Sequence, residues 1–481
     1  MGLKERLIRK ERFVWELPVG SVEGQKVPAV FYLSEELFEG LEEEAVRQAA
    51  NAATLPGVTK AIYVMPDVHV GYGFPVGGVM ATDAEGEGVV SPGAIGYDIN
   101  CGVRLIATNL RAYEIAPKVE GIMQAVFKEV PAGVGSTGSI KLPRSRMKEV
   151  LIKGAAWAVE EGFGRPEDLT HVESYGSLPN ADPDAVSREA YERGSDELGT
   201  VGSGNHFVEL QAVEEVYDEE AARAFGIEKQ QVLIMVHSGS RGLGHQVCTD
   251  YLKLVLKSAP KYGIRLPDPQ LACVPFNSEE GRRYFRAMNA AANYAFANRQ
   301  ILGYKAAQAV AKHLGLSLEE LGYRVIYDHA HNIGKLEKYR VNGKEKTLLV
   351  HRKGATRAFP PGHPELPPDY RRVGQPVIIP GDMGRASYLL VGRPGAVERS
   401  FGTACHGAGR VMSRRQAKRY AREVGPEKIL KDLVVVARGR STVLEEIPQA
   451  YKDVSEVVRV IEELGIAKAV ARLRPLGTLK G

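Results

Sequence analysis

Apolar residues recur at helical spacing over 35–53 (EELFEGLEEEAVRQAANAA) and over 279–314, and both stretches are built from good helix formers, so both are predicted as helices. Shorter helices are predicted over 246–258, 413–424 and 452–465. The segment 413–424 (SRRQAKRYAREV) has no internal Gly or Pro, opens on Ser413 as an N-cap and ends before Gly425 as a C-cap. Between helices, short β-type runs lead into glycine-rich islands: AIYVM precedes Pro66 and VLIMV precedes His237. The islands are GYGFPVGG (71–78), GAIGYDINCG (93–102), GVGSTG (133–138), GTVGSGNH (199–206), SGSRGLGH (238–245) and HGAGR (406–410). Glycine at a strand end lets backbone come close to a ligand. The islands have no fixed period, which excludes a repeat protein. Residues 160–199 are polar and rich in Pro, Gly, Asp and Glu, and are predicted as a long surface excursion. No low-complexity linker divides the chain. The expected architecture is therefore α+β: one large domain over 1–481, with a β-sheet core and surrounding helices.

Composition adds boundaries to this picture. With 481 residues, 44% of them hydrophobic and 25% charged, the chain can bury a large core without staples. No run of eighteen apolar residues occurs, so no membrane span is predicted. The first residues, MGLKERLIRKERFVWEL, lack the apolar run of a signal peptide, and Arg6 stands where a myristoylation motif needs Ser or Thr. The four cysteines (Cys101, Cys248, Cys273, Cys405) show no CxxC spacing, so free thiols in a reducing cytoplasm are expected. A formal charge of +4 is too mild to signal nucleic-acid binding by itself; any such site must be a local patch.

Candidate chemistry sits in the islands. Asp98 and Cys101 lie in GYDINCG, His206 in VGSGNHFVEL, His237 at the end of VLIMVH, and His331 in YDHAHNIG. A carboxylate, a thiolate and imidazoles are ligand types for a divalent first-row metal. One thiolate can bridge two ions, so these five side chains can form two sites of three ligands each, leaving open positions for phosphate oxygens. A buried Cys or a His at a strand end is, taken singly, as readily a structural residue; the case rests on five of them in glycine-rich settings. Ligand softness alone favours zinc.

His406, in SFGTACHGAGRVMSRR, has tiny neighbours that let a phosphate approach, and Arg410 offers a fork for its oxygens. Neutral imidazole is a competent nucleophile. The same residues also suit a tight turn beside a basic helix, and from the residues alone both readings stand. Ser238, Ser240 and Arg241 in HSGSRG, and Lys353 and Arg357 in HRKGATRAF, combine glycine with fixed cations, as polyanion recognition or a solvated basic loop would. GVGSTG matches GxGxxG, but the SIKLP that follows disfavours the helix a dinucleotide site requires. There is no GxxxxGK[ST] and no KxDG, so neither a P-loop nor a lysine-nucleophile ligase pattern is present.

Together the islands resemble the RtcB family of RNA ligases: MPDVHVGYGFPVGGVMA, GYDINCGVR, GNHFVEL, HSGSRGLGHQV, AHNIGKLE, HRKGATRAFPPG, CHGAGRVMSR and the terminal KG occur in that order. The resemblance implies an RtcB-like fold and two Mn²⁺ ions in place of zinc, bridged by Cys101, with Asp98 and His206 completing one site and His237 and His331 the other. It implies that His406 attacks the α-phosphate of GTP to form histidyl-GMP, and that GMP then activates a 3′-phosphate, itself opened from a 2′,3′-cyclic phosphate, for sealing to a 5′-hydroxyl. By similarity Asn205 contacts the guanylate phosphate, Glu209 and Lys480 read the guanine edge, Tyr451 stacks on the base, and Ser387, Gly407, Ala408 and Gly409 belong to the GTP pocket. Asp382 stands where the family commonly has a base-contacting serine; an acid there either accepts from guanine or weakens GTP selectivity. Arg241, Lys353, Arg357 and Arg410 are expected on RNA phosphates. The implied partners are RNA (tRNA halves or broken ends), GTP and archease. The alternatives are a metal-dependent phosphoesterase that opens cyclic phosphates without ligating, and a non-catalytic RNA-binding protein.

Overall fold

The β-type runs pair into two large sheets in the computed structural model, which describes residues 1–481. The first sheet has the spatial order 8–11, 14–17, 29–32, 62–69, 76–83, 344–353, 332–341. Its pairs are antiparallel except 29–32 with 62–69. The second runs 324–330, 102–111, 231–238, 207–216, 467–480, 387–392, 376–379, with 435–437 lying parallel beside 467–480. Helices surround both sheets, so the fold is the α+β arrangement expected. No helix is long and apolar enough to cross a membrane.

The antiparallel order of the second sheet explains where the islands meet. Strands 102–111 and 207–216 start at the edge where 231–238 and 324–330 end: Gly102 faces Ser238, Phe207 faces His237, and Ala330 faces Gly102. The last strand adds Lys480 to that edge opposite Phe207. His331 is the hinge between the sheets, because Ala330 closes a strand of the second and Asn332 opens one of the first. Asn332 pairs with Lys353 there, bringing the following strand 355–357, and with it 403–405, to the same place.

One helix, Glu279–His313, holds this edge in position. Ser278 caps it by accepting from the Gly281 N–H, Glu279 and Glu280 occupy its first turn, and Lys312 and His313 its last, all matching the helix dipole. At 35 residues it is about 52 Å long. Its middle is buried on every side, which its alanines allow, so it is a core helix and not an amphipathic surface one. The buried polar residues of its middle bond to other segments, to backbone and to side chains alike. Asn293 accepts from the Leu178 N–H and donates to Leu151 O, and Asn298 accepts from the Gly199 N–H (2.7 Å) and donates to Gly239 O (3.1 Å). Arg299 donates to Asn100 O (2.6 Å) and Ser238 O (3.0 Å) and pairs with Asp328, which also takes Arg104.

Two expectations change. The helix predicted over 35–53 is two, Glu35–Glu39 and Glu43–Ala52, because Gly40 ends the first and Leu41 turns into the core. The segment 160–199 alternates exposed turns with side chains that reach the interior. Val172, Leu178, Ala190, Tyr191 and Leu198 pack into the apolar cluster around the long helix, and its Glu173 is buried among cations. Its polar composition reflects side chains that bond inward, such as Asp168, which accepts from Gln300 and Tyr323. The other helices fall close to prediction, at Arg241–Ser258, Arg414–Val424 and Val454–Glu463; Ser413 caps the second, with Gln416 closing a capping box.

Candidate active site

The shared edge of the two sheets opens as a cleft of about 300 Å³. All five expected metal ligands line it. Cys101 Sγ lies 3.2 Å from His237 Nε2 and 3.3 Å from His206 Nε2; His237 and His331 are 3.4 Å apart through Nε2, and Asp98 Oδ2 is 2.9 Å from His206 Nε2. The donor atoms form two triads that share the sulfur: Cys101, His237, His331 and Asp98, Cys101, His206. Two glycines make this approach possible. A Cβ on Gly239 would stand 2.2 Å from Asp98 Oδ1, and one on Gly202 2.3 Å from His206 Nδ1.

The electrostatics fit a cation. Burial, reinforced by neighbouring imidazoles, pushes His237 and His331 well below the usual histidine range, so both present neutral lone pairs. Burial also acts to raise Asp98, but the adjacent His206 outweighs it and the carboxyl lies below its ordinary value. The Cys101 thiol is pushed up by burial and by Asp98. A thiol, a carboxylate and neutral imidazoles converging in a buried corner lack a positive charge at their centre; a divalent ion supplies it and displaces the thiol proton.

Against this cluster lies His406, whose ring centre is 4.8 Å from that of His331. It follows the strand Thr403–Cys405 and is anchored by Asp67, a fully buried carboxylate in strand Ile62–His69. Asp67 Oδ2 sits 2.6 Å from His406 Nδ1 and accepts the backbone N–H groups of His406 (3.1 Å) and Gly407 (3.2 Å). Burial works to raise this carboxyl, yet His406, these N–H groups and Lys452 together hold it below the usual range. An ionised Asp67 therefore keeps the proton on Nδ1 and leaves Nε2 with the free lone pair. Lys452, lowered to about 8 by burial, donates to Val68 O (2.6 Å) and fixes the Asp67 strand from the other side.

The expected nucleotide residues gather around His406. Asn205, Asp382, Gly407, Ala408, Gly409, Tyr451 and Lys480 line the cleft. Glu209 and Ser387 lie just beneath it, joined through Gln211, which donates to Glu209 (2.7 Å) and Ser387 (3.3 Å). Burial raises Glu209 to about 7 against the pull of Gln211, Lys480 and Thr478, and lowers Lys480 against Glu446 and Glu209. Asp382 is committed to its own loop: it accepts from Gly384 N and Arg385 N and pairs with the Arg385 side chain, which in turn holds Tyr451 O at 2.8 Å.

The four cations expected on RNA phosphates divide. Lys353 and Arg410 line the cleft. Lys353 donates to Tyr72 O and Gly93 O, and burial lowers it to about 8. Arg410 is held by Glu446 and Tyr451. Arg241 and Arg357 are not at the cleft surface. Arg241 is clamped by Glu197 and Thr200, and Arg357 is buried between Glu173, Glu365 and Gln375. Each has a carboxylate from a distant segment as counter-ion, which local sequence does not reveal. Asp67, Arg414, Glu446 and Lys452 went unassigned in the sequence. For Asp67 a signal existed: a lone acid in the apolar strand IYVMPDVH needs a buried partner.

Comparison with known proteins agrees with the geometry. The family model described as tRNA-splicing ligase RtcB matches residues 48–481. Proteins named tRNA-splicing ligase RtcB are similar over the full chain: 52% identical over 483 residues in Archaeoglobus fulgidus (100% of both chains), 50% over 478 in Thermococcus kodakarensis (99% of both), and 48% over 481 in Methanococcus maripaludis (100% of both).

Proposed function

The chain belongs to the RtcB family, and from that premise we propose that it is a GTP- and Mn²⁺-dependent RNA ligase of the cytoplasm, acting in tRNA splicing or RNA repair. It joins 2′,3′-cyclic phosphate or 3′-phosphate ends to 5′-hydroxyl ends, with archease as a candidate activator. The observation that carries this reading is the buried Asp67 against His406 Nδ1, because it makes a nucleophile of a histidine that a turn residue would not need to be.

In this reading Nε2 of His406 attacks the α-phosphorus of GTP. The bond to the β-phosphate oxygen breaks, and pyrophosphate leaves. Asp67 balances the charge that develops on the imidazole, as an orienting carboxylate does in other histidine mechanisms. An oxygen of the RNA 3′-phosphate then attacks the same phosphorus, the P–N bond breaks and His406 recovers its lone pair. Finally the 5′-hydroxyl, giving up its proton to solvent, attacks the activated 3′-phosphorus; the bond from that phosphorus to the guanylate oxygen breaks and GMP leaves. Cys101, Asp98, His206, His237 and His331 would hold two Mn²⁺ ions, whose chemistry is to neutralise phosphate charge as Lewis acids. Tyr451 offers its ring to the base, while Glu209 and Lys480 supply an acceptor and a donor for the guanine edge. Glycines 407 and 409 with Ala408 leave room for the phosphates. In place of a serine, Asp382 contributes mainly by anchoring Arg385 against the Tyr451 backbone.

Incubation with α-labelled GTP and Mn²⁺ tests the proposal. The expected result is acid-labile label on the wild type and none on His406→Ala. An unlabelled wild type, or equal labelling of the variant, overturns it in favour of a phosphoesterase that uses the cluster alone.

A further inference from the structure

The helix Arg414–Val424 carries five Lys and Arg against one Glu in eleven residues. Residues 410–440 carry ten Lys and Arg against three Asp and Glu, whereas the whole chain has a formal charge of only +4; the remainder of the protein is thus net acidic. The positive excess is therefore local, and its position is informative. Arg414 lines the cleft, within one short loop of His406. The helix then leads away from the cleft with Ala417 and Ala421 turned inward onto Leu444, Ile447 and Tyr451. Arg415, Arg419 and Arg422 stand on the opposite side, spaced by four and three residues, so they share one face. All three are exposed and none takes part in an ion pair; Lys418, on the inner flank, is the one basic residue of the helix neutralised, by Glu445 at 2.7 Å. Surface arginines without counter-ions, in a row that begins at a phosphate-handling cleft, are matched by charge to a polyanion.

We infer that the exposed face of this helix is a docking track for the RNA substrate, on which Arg415, Arg419 and Arg422 hold successive backbone phosphates of the strand leaving the cleft. This rests on the RNA-ligase reading above and extends it from the reacting ends to the body of the substrate. The track covers about 10 Å from Arg415 to Arg422, and its contacts are with phosphate, so they carry no base specificity. It also gives Arg414 a role: the point where the track enters the cleft. Because the same helix packs on Tyr451 through its inner face, strand and guanylate are held by two sides of one element.

The test uses the full-length protein and a dye-labelled RNA oligonucleotide ending in a 3′-phosphate. Affinity is measured by anisotropy across a KCl series, and self-guanylylation in parallel. Arg415, Arg419 and Arg422 are replaced together by Gln, a good helix former, and also singly in case the triple variant folds poorly. Three exposed residues elsewhere, Arg188, Lys338 and Arg372, are replaced by Gln as the charge control. The triple variant is expected to bind RNA roughly ten- to a hundredfold more weakly at physiological salt, with its log–log salt slope shallower by about 2. Single variants should each show part of the loss, and guanylylation should proceed at the wild-type rate. The inference is overturned if affinity and slope are unmoved, which would leave the helix to an acidic protein, or if the control triple weakens binding equally. Absence of guanylylation in the wild type would instead strike the ligase reading, which the binding measurement does not depend on.

Discussion

Replacing Asp67 separates charge from geometry at His406. Two backbone N–H groups, of residues 406 and 407, donate to one oxygen, Oδ2, and the His406 ring stands against the same oxygen with Nδ1 2.6 Å away, while Oδ1 has no hydrogen-bond partner. In Asp67→Asn the amide oxygen takes the place of Oδ2, because the nitrogen there would face the two backbone donors. Both backbone bonds and an acceptor oxygen beside Nδ1 survive, and the negative charge is lost. A hydrogen bond to a charged group contributes about 1.5–3 kcal/mol, so guanylylation should slow by roughly ten- to a hundred-and-fiftyfold. Asp67→Ala removes the acceptor itself, frees the tautomer and strands two buried N–H groups. Breaking a buried pair in this way costs about 3–5 kcal/mol, a slowing of roughly a hundred-and-fiftyfold to a few thousandfold. The assay is single-turnover transfer of label from α-labelled GTP at saturating GTP and Mn²⁺, with a thermal melt to confirm folding. Equal rates for the Asn and Ala variants, or an Ala variant within threefold of wild type, would refute the reasoning.

Metal content should follow the shared sulfur: Cys101→Ala loses both ions whereas His331→Ala keeps one, and unchanged stoichiometry in Cys101→Ala by elemental analysis removes the bridging role. GTP affinity should rise with pH between about 6 and 8, because Glu209, raised to about 7 by burial, must lose its proton to accept from guanine. The linked stability effect has the opposite sign. A carboxyl raised in the folded state holds its proton there longer than in the unfolded chain, so its contribution to stability declines as pH rises from the ordinary glutamate range through about 7. Calorimetric titration should show proton release on GTP binding near pH 6.5, absent in Glu209→Gln; a pH-independent affinity in the wild type would sink this assignment.

The elements easiest to read from sequence were those specified by their own residues. Helix Glu279–His313 announces itself through alanine content and apolar spacing, and Ser413 through the cap it forms. The cluster of Asp98, Cys101, His206, His237 and His331 was legible as candidate residues beside glycines or at strand ends, though only the antiparallel strand order brings them together. Pairings across hundreds of residues were not legible. Asp67 with His406, Glu173 with Arg357 and Glu446 with Arg410 each join a carboxylate to a cation from another segment. That is why Arg241 and Arg357 looked like free cations in their glycine-rich loops and are bound in the fold. Polarity likewise hides the inward bonds of 160–199, where Asp168 accepts from Gln300 and Tyr323.

The long helix also sets an order of events in folding. Its Asn298 and Arg299 tie down backbone at positions 100, 199 and 238–239, so the loops that present Asp98, Cys101, His206 and His237 depend on a segment synthesised later than all of them. On a ribosome adding roughly 5–20 residues per second, the loop at 98–101 emerges some ten seconds or more before its clamp. Until the helix docks, strand pairing alone brings these residues to one edge, and their loops lack the hydrogen bonds that fix the backbone. Final fixing of these loops is then a late step that depends on contacts of long sequence separation, which topology makes slow.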